Sequence, residues 1–434
     1  MKILKMVGTV GLLLLFCCAQ ENDVKPGKDP DGEIIVDDPN VMYPSYNKLV
    51  MAGYQGWHAA EGDGSERGWY HYQKNGCGFF PGCTNVDLWP DMAEYETKYE
   101  TSFKYPDGSS AYVYSPYDES TVDVHFRWMK DYGLDGVHMQ RFVGEIKPSN
   151  PKGKRHFNKV LANALKAAKK YGRAISVMYD LSGSSSADVA YLETDLNELV
   201  ELFDLFDSEV NPTYLRHNGK PLVTIWGVGF NDNRAYTLND VNKLVDKLIA
   251  TKKVSIMLGV PYYWRTFGND TQKDEALHTL IKKIDIIMPW AVGRFDINGY
   301  KEINVLQDIN WCKSNDVDYV PLVFPGFSWA NMHNDPGIYN AIPRLEGNFL
   351  WKQIAGAKSV GAQSLYVAMF DEIDEGTAIY KASKEDHVPL NGDTGLKFIG
   401  IEKDLDTDYY LWLTGQGARW FHGEGSYSNT KPTR

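Results

Sequence analysis

The sequence has no dense cluster of lysine and arginine, and its formal net charge is −12. That balance excludes a nucleic-acid partner, which needs a basic footprint, and argues against an anionic polymer as substrate. No Cys/His spacing matches a zinc site, and no glycine-rich phosphate fingerprint follows an early apolar run, so neither a metal nor a cofactor is expected. Cysteine is scarce, with five residues in 434. Two of these, Cys17 and Cys18, end an apolar run through Leu12–Leu15 and Phe16 that follows Lys2 and Lys5. The run is too short for a stable membrane span and reads as a secretory leader.

Leu15 lies three residues before Cys18, an arrangement that resembles the lipobox of bacterial lipoproteins, with Cys18 as the lipidated residue. Simple signal cleavage nearby is the alternative. The domain layout expected is a lipoprotein signal over 1–18, a flexible tether over 19–42 and a catalytic body over 43–434 with a C-terminal extension. The tether mixes Asp, Pro, Gly and Lys with few apolar residues. The chain is then expected to be a monomer in the bacterial cell envelope, touching membrane only through the lipid anchor. Cys77 and Cys83 flank Gly-Phe-Phe-Pro-Gly, and in an oxidising compartment they either close a small disulfide loop or stay as free thiols.

What is present is a core-forming chain, 43% hydrophobic, with 12 Trp and 27 Tyr. Aromatics in such numbers suit clefts that stack on sugar rings, although large barrels pack them too. Short apolar runs recur at 49–54, 136–142, 174–180, 221–226, 254–260, 284–290, 319–324 and 364–370. Amphipathic stretches separate them near 119–131, 156–171, 189–205, 238–250, 273–283, 302–315 and 345–359. This alternation predicts an α/β fold, a (β/α)8 TIM barrel with a long insertion, roughly 55–118, after the first strand. An open doubly wound sheet is the alternative.

In a barrel the C-terminal ends of the strands converge on one mouth, so the polar residues there can be compared across the chain. The insertion brings Trp57, His58 and Trp69-Tyr70-His71-Tyr72 just past the first strand; either histidine also fits a structural role. The second strand ends in His138, Gln140 and Phe142 on one face and Met139 and Arg141 on the other. Gln140 can bond a substrate or fill a core layer, Arg141 is counted with Trp57 and His58 among the expected substrate contacts at the mouth, and Asp180 can line the mouth or cap a turn. Trp226, Trp290 and Trp329 stand at or just beyond three further tips, as a sugar platform or as plugs of the barrel.

The eighth strand runs into Asp371-Glu372-Ile373-Asp374-Glu375-Gly376-Thr377. Four acids in five residues repel one another, and they form either a solvated acidic turn or a catalytic carboxylate pair. Glycosidic cleavage needs one group to protonate the leaving oxygen and another to act on the sugar side. Glu372 and Glu375 are the candidates, with Glu372 expected to follow the strand alternation of Tyr366, Ala368 and Phe370 into the lumen.

This segment resembles the Asn-Glu-Trp-His-Glu-Gly-Thr stretch of the family 71/99-like glycoside hydrolases, nearest the family 99 endo-α-mannosidases and mannanases. Both glutamates and Gly-Thr align without gaps, while Ile373 and Asp374 replace Trp and His. Similarity extends to Gly133–Phe142 and Asp408–Gly415. The resemblance implies a retaining, metal-free hydrolase of α-linked glycans, with an oligosaccharide or polysaccharide substrate. It implies that Glu372 takes the proton of the sugar 2-hydroxyl to form a 1,2-anhydro sugar, and that Glu375 serves as acid, then base. A surface lipoprotein that binds glycans without cutting them would not need both glutamates. An α-1,3-glucanase resembling family 71, or an exo-acting glycosidase, is the rival within the enzymes.

Overall fold

In the computed structural model, which describes residues 38–434, eight parallel strands close into a barrel. They are β1 (Val50–Tyr54), β2 (Gly136–Phe142), β3 (Ala174–Asp180), β4 (Lys220–Trp226), β5 (Ser255–Pro261), β6 (Ile286–Trp290), β7 (Asp318–Tyr319 and Leu322–Val323) and β8 (Leu365–Val367). Pairing runs from β6 through β5, β4, β3, β2 and β1 to β8, and the two pieces of β7 border the two ends of that path. The first piece pairs with β6 and the second with β8. Pro321 lies between them and has no N–H to continue the ladder, so its carbonyl takes Tyr366 N (3.0 Å) while Val320 N turns to Ile287 (3.0 Å).

Helices α1 (Glu119–Tyr132), α2 (Pro151–Tyr171), α3 (Ser186–Phe203), α4 (Leu238–Lys252), α5 (Ala276–Ile281), α6 (Glu302–Lys313) and α7 (Asn348–Ser359) follow the strands, and α8 (Tyr409–Phe421) in the C-terminal extension packs on α1 and α7. Helix α2 begins five residues before the expected start because Asn150 accepts from Gly153 N (2.9 Å) and Pro151 occupies the first helical position. Helices α3 and α4 open on capping boxes, Ser185 with Asp188 and Thr237 with Asp240.

The strands read as unbroken apolar runs because both of their faces are covered. Met51, Met178, Leu222, Met257, Met288, Leu322 and Tyr366 fill the lumen, while their neighbours in sequence pack under the helices. Gly53 in β1 is required by this packing: a Cβ there would stand 2.1 Å from Tyr366 Oη and 2.2 Å from Met369 Cε. The alternation expected for β8 does not hold past Ala368. Ala368 and Met369 both join the lumen cluster, and Phe370 turns outward against Tyr54 (5.8 Å) and His125 (5.3 Å). The chain then loops back, with Met369 N bonded to Thr377 O (3.2 Å) and Ile379 N to Met369 O (3.0 Å). Residues 371–377 are thus a turn clamped at its base.

The insertion carries an antiparallel hairpin, Tyr99–Lys104 with Ser110–Val113, and Cys77 and Cys83 are paired as a disulfide. Asp87 fastens it to the rim, accepting from Ser328 Oγ, Ala330 N (2.8 Å) and Asn331 N (2.7 Å). Asp87 N and Leu88 N both donate to Ile373 O (2.9 and 3.1 Å). Residues 38–42, expected as tether, are docked on the barrel through Met42 N to Pro212 O (2.9 Å) and Ser208 Oγ to Asp38 (2.5 Å). The leader and Cys18 lie outside the described residues.

Candidate active site

The turn after β8 is held from β1. Asp371, fully buried, accepts from Gln55 N (2.7 Å) and Gly56 N (3.0 Å), and Gly56 has the positive φ of +60° that aims its N–H there. Burial raises the Asp371 carboxyl to about 6, against the pull of these two backbone donors. Glu372, 2% exposed, accepts from Asp374 N (2.7 Å) and Glu375 N (3.3 Å) on Oε1 and from Gln55 Nε2 (2.6 Å) on Oε2. Glu375 is half-buried, and no described residue donates to its carboxylate.

These surroundings set the acidities. Burial pushes the Glu372 carboxyl well above the usual range, the charges of Asp374 and Glu375 add to the rise, and the two backbone N–H groups oppose it. Glu375 is raised to about 7 by burial and by the charge of Asp374, with Asp180 adding to the shift and Arg294 opposing it. Burial and crowding thus disfavour charge on both glutamates, while the N–H donors on Glu372 favour it there. Asp374 behaves oppositely. Burial alone would raise it, but hydrogen bonds from His58 Nε2 (3.4 Å) and His71 Nδ1 (2.9 Å) outweigh that, and it lies below the usual carboxylate range.

Around this turn the residues read from the sequence fall into distinct places. Gln140, 4% exposed, donates to Tyr366 Oη (3.4 Å) and keeps Oε1 without a protein partner. Asp180 accepts from Ser182 N (2.7 Å), the turn-capping role, and burial raises its carboxyl. Trp226 and Trp290 meet edge to face at 5.2 Å, and Arg234 lies over Trp226 at 5.2 Å. Trp329 is not part of that pair; it packs on Phe327 (5.0 Å) and His333 (4.3 Å).

Three expectations are corrected. Arg141 does not face the mouth: it points outward beneath α3, 1% exposed, in a two-pronged ion pair with Asp195 (2.8 and 2.6 Å). The strand period places it on the covered outer face, where only an ion pair makes an arginine tolerable. His58 is fully buried and braces Asp374 from within the protein. Trp57 stacks on His71 (3.6 Å) and on Phe142 (4.7 Å), which do not touch each other, so both of its faces are taken and it offers no platform to a sugar.

Gln55, His71 as a partner of Asp374, Tyr366 and Arg294 were not singled out by sequence as site residues. Gln55 continues the lumen-facing period of Met51 and Gly53, a signal that was available. Arg294, bonded to Asp270 (2.6 Å), left no signal beyond its position four residues past the tip of β6.

Compared by sequence, the chain matches no family model and no curated protein. Compared by structure, it is similar to the GH99 endo-α-mannosidase from Bacteroides thetaiotaomicron, with a TM-score of 0.61 and 16% identity over 87% of this chain and 98% of that one. The same enzyme in complex with bis-tris propane gives a TM-score of 0.60 with the same identity and coverage. At this identity the likeness establishes the fold, a (β/α)8 barrel covered over nearly its whole length.

Proposed function

We propose that this protein is a glycoside hydrolase that cleaves α-linked glycans with retention, α-mannosides being the first class to test. The observation that carries the reading is the unequal treatment of two neighbouring carboxylates. Glu372 is fixed by three N–H donors, which suit a carboxylate that receives a proton at a set position. Glu375 accepts from no described residue, lies within electrostatic reach of Asp180 and Arg294, and has its acidity moved to about 7, as a general acid working near neutral pH requires. The resemblance of the turn to family 99 and the similarity in fold to a GH99 endo-α-mannosidase support the same reading.

In the route this supports, Glu372 takes the proton of the sugar 2-hydroxyl as that oxygen bonds to the anomeric carbon. The glycosidic bond breaks, and Glu375 gives its proton to the leaving oxygen. Glu375 then takes a proton from water, whose oxygen opens the anhydro sugar at the anomeric carbon, and Glu372 returns the proton to the 2-oxygen. We further propose that the enzyme is held in the bacterial cell envelope by a lipid on Cys18.

A panel of α-linked oligosaccharides, with product analysis by chromatography, tests the activity. Cleavage of none of them by the intact protein removes the hydrolase reading. Intact-mass measurement after incubation with a 2-deoxy-2-fluoro analogue of the substrate tests the route: a sugar attached to any carboxylate excludes the anhydro intermediate and leaves the hydrolase standing.

A further inference from the structure

Asp374 separates the two glutamates in the turn, and its own carboxylate spends both oxygens on histidines of the insertion. The two differ in placement. His58 is sealed in the protein, whereas the His71 side chain is 23% exposed. His71 is also held with unusual definition. Its ring lies on Trp57 at 3.6 Å and 7° between planes, Tyr70 meets its edge at 4.8 Å, and its backbone sits at φ 63°, a left-handed conformation for a residue with a side chain. That region is uncommon for a residue with a side chain, histidine being one of the types that enter it.

The hydrogen bond to Asp374 also fixes the tautomer. A carboxylate only accepts, so Nδ1 carries the hydrogen, and in the neutral ring Nε2 is left with a lone pair. No described residue contacts that Nε2 by a hydrogen bond. Burial lowers the affinity of the ring for a second proton, against the opposing pull of Asp374, so the neutral ring prevails at pH 7. Trp57, with Phe142 on its other face, serves as the back plate of this histidine.

We infer that His71 is a substrate-binding residue of this site, oriented by Asp374 and Trp57 so that Nε2 accepts a hydrogen bond from a hydroxyl of the bound glycan. The inference rests on the hydrolase reading for the identity of the ligand, and on the geometry alone for the orientation of the ring.

Long-range 1H–15N NMR of the full chain labelled at histidine, assigned with His71→Gln, reads the tautomer directly. The expected result is Nδ1–H for His71, with its Nε2 resonance moving when a cleaved oligosaccharide of the panel is added to the inactive Glu375→Gln protein. In kinetics, His71→Ala is expected to lower kcat/KM about tenfold, the worth of one hydrogen bond in a desolvated site. His71→Gln, whose amide oxygen can replace Nε2 as acceptor, is expected to recover most of that loss at an unchanged melting temperature. An Nε2–H tautomer, a His71→Ala protein within twofold of the parent, or a glutamine variant no better than alanine each overturns the inference. Should the parent cleave none of the panel, the hydrolase reading fails by itself. His71 is then judged by NMR with millimolar α-1,2-mannobiose and maltose, and an unmoved Nε2 resonance overturns the assignment.

Discussion

The two ends of this barrel differ in how they treat their carboxylates. At the N-terminal end a cavity of about 510 Å³ opens between Tyr43, Tyr46, His217, Asp318 and Ser364. Acids at that end are matched by donors: Asp135 takes Val50 N (2.7 Å) and His422 Nε2 (3.0 Å), Asp285 takes Ile256 N and Asn218 Nδ2 (2.9 Å each), and Asp318 pairs with His217 (2.9 Å). At the C-terminal end, Asp180, Asp371, Glu372 and Glu375 are all pushed toward their protonated forms, and Asp374 alone has histidine partners. Donors are present at both ends, two each on Asp135, Asp285 and Asp371 and three on Glu372, so what sets the C-terminal acids apart is the burial and crowding that raise them despite their donors.

The comparison breaks most sharply at Glu375. Glu375→Gln is expected to lower kcat/KM on a cleaved α-glycan by about a thousandfold, within the usual span for losing a general acid. Asp318→Asn, at the other end, is expected to leave it within twofold. Equal losses in the two variants would show that the ends do not differ in function. Asp135→Ala reads the N-terminal end in its own terms. Removing a charged acceptor from Val50 N and His422 should cost about 2–3 kcal/mol in urea unfolding, with kcat unchanged for the folded fraction.

A smaller effect is expected from Gln55→Ala, which takes one of three donors from Glu372. Activity should fall about tenfold and the pH profile should move, because the remaining carboxylate is held less firmly in its charged form. An unshifted profile would assign Gln55 a packing role only.

The last effect concerns pH and stability. The Glu375 carboxyl is raised from 4.5 to about 7 in the folded chain. Its contribution is then fully present below the unfolded value and is lost as pH rises through about 7. Glu375→Gln should match the parent in stability near pH 4 and exceed it near pH 8, by at most about 3 kcal/mol. A constant difference across that range would place the Glu375 acidity near its ordinary value.

Much of the fold was legible in the sequence because parallel strands covered on both faces leave continuous apolar runs, and all eight appeared within a few residues of their true ends. What escaped depends on three-dimensional closure. The split of β7 follows from Pro321 having to serve two neighbours, and the early end of β8 follows from the loop-back of 371–377. The place of both glutamates, in a turn past the eighth strand, was legible because four acids at a strand tip are conspicuous. The corrections at Trp57 and Arg141 share one cause: strand position tells which end a residue occupies, whereas its partners decide which way it faces and whether it is free.

Asp87 has a consequence for how this barrel can change. Its carboxylate grips the segment after β7, and the backbone N–H groups of Asp87 and Leu88 grip Ile373 between the two glutamates. The loop that shapes the mouth and the turn that carries the acids thus share a hinge point. Grafting a foreign insertion onto this scaffold would disturb the carboxylates along with the walls of the cleft. Positions 373 and 374 are accordingly expected to drift in step with the insertion as related barrels diverge, rather than with the strands on which they stand.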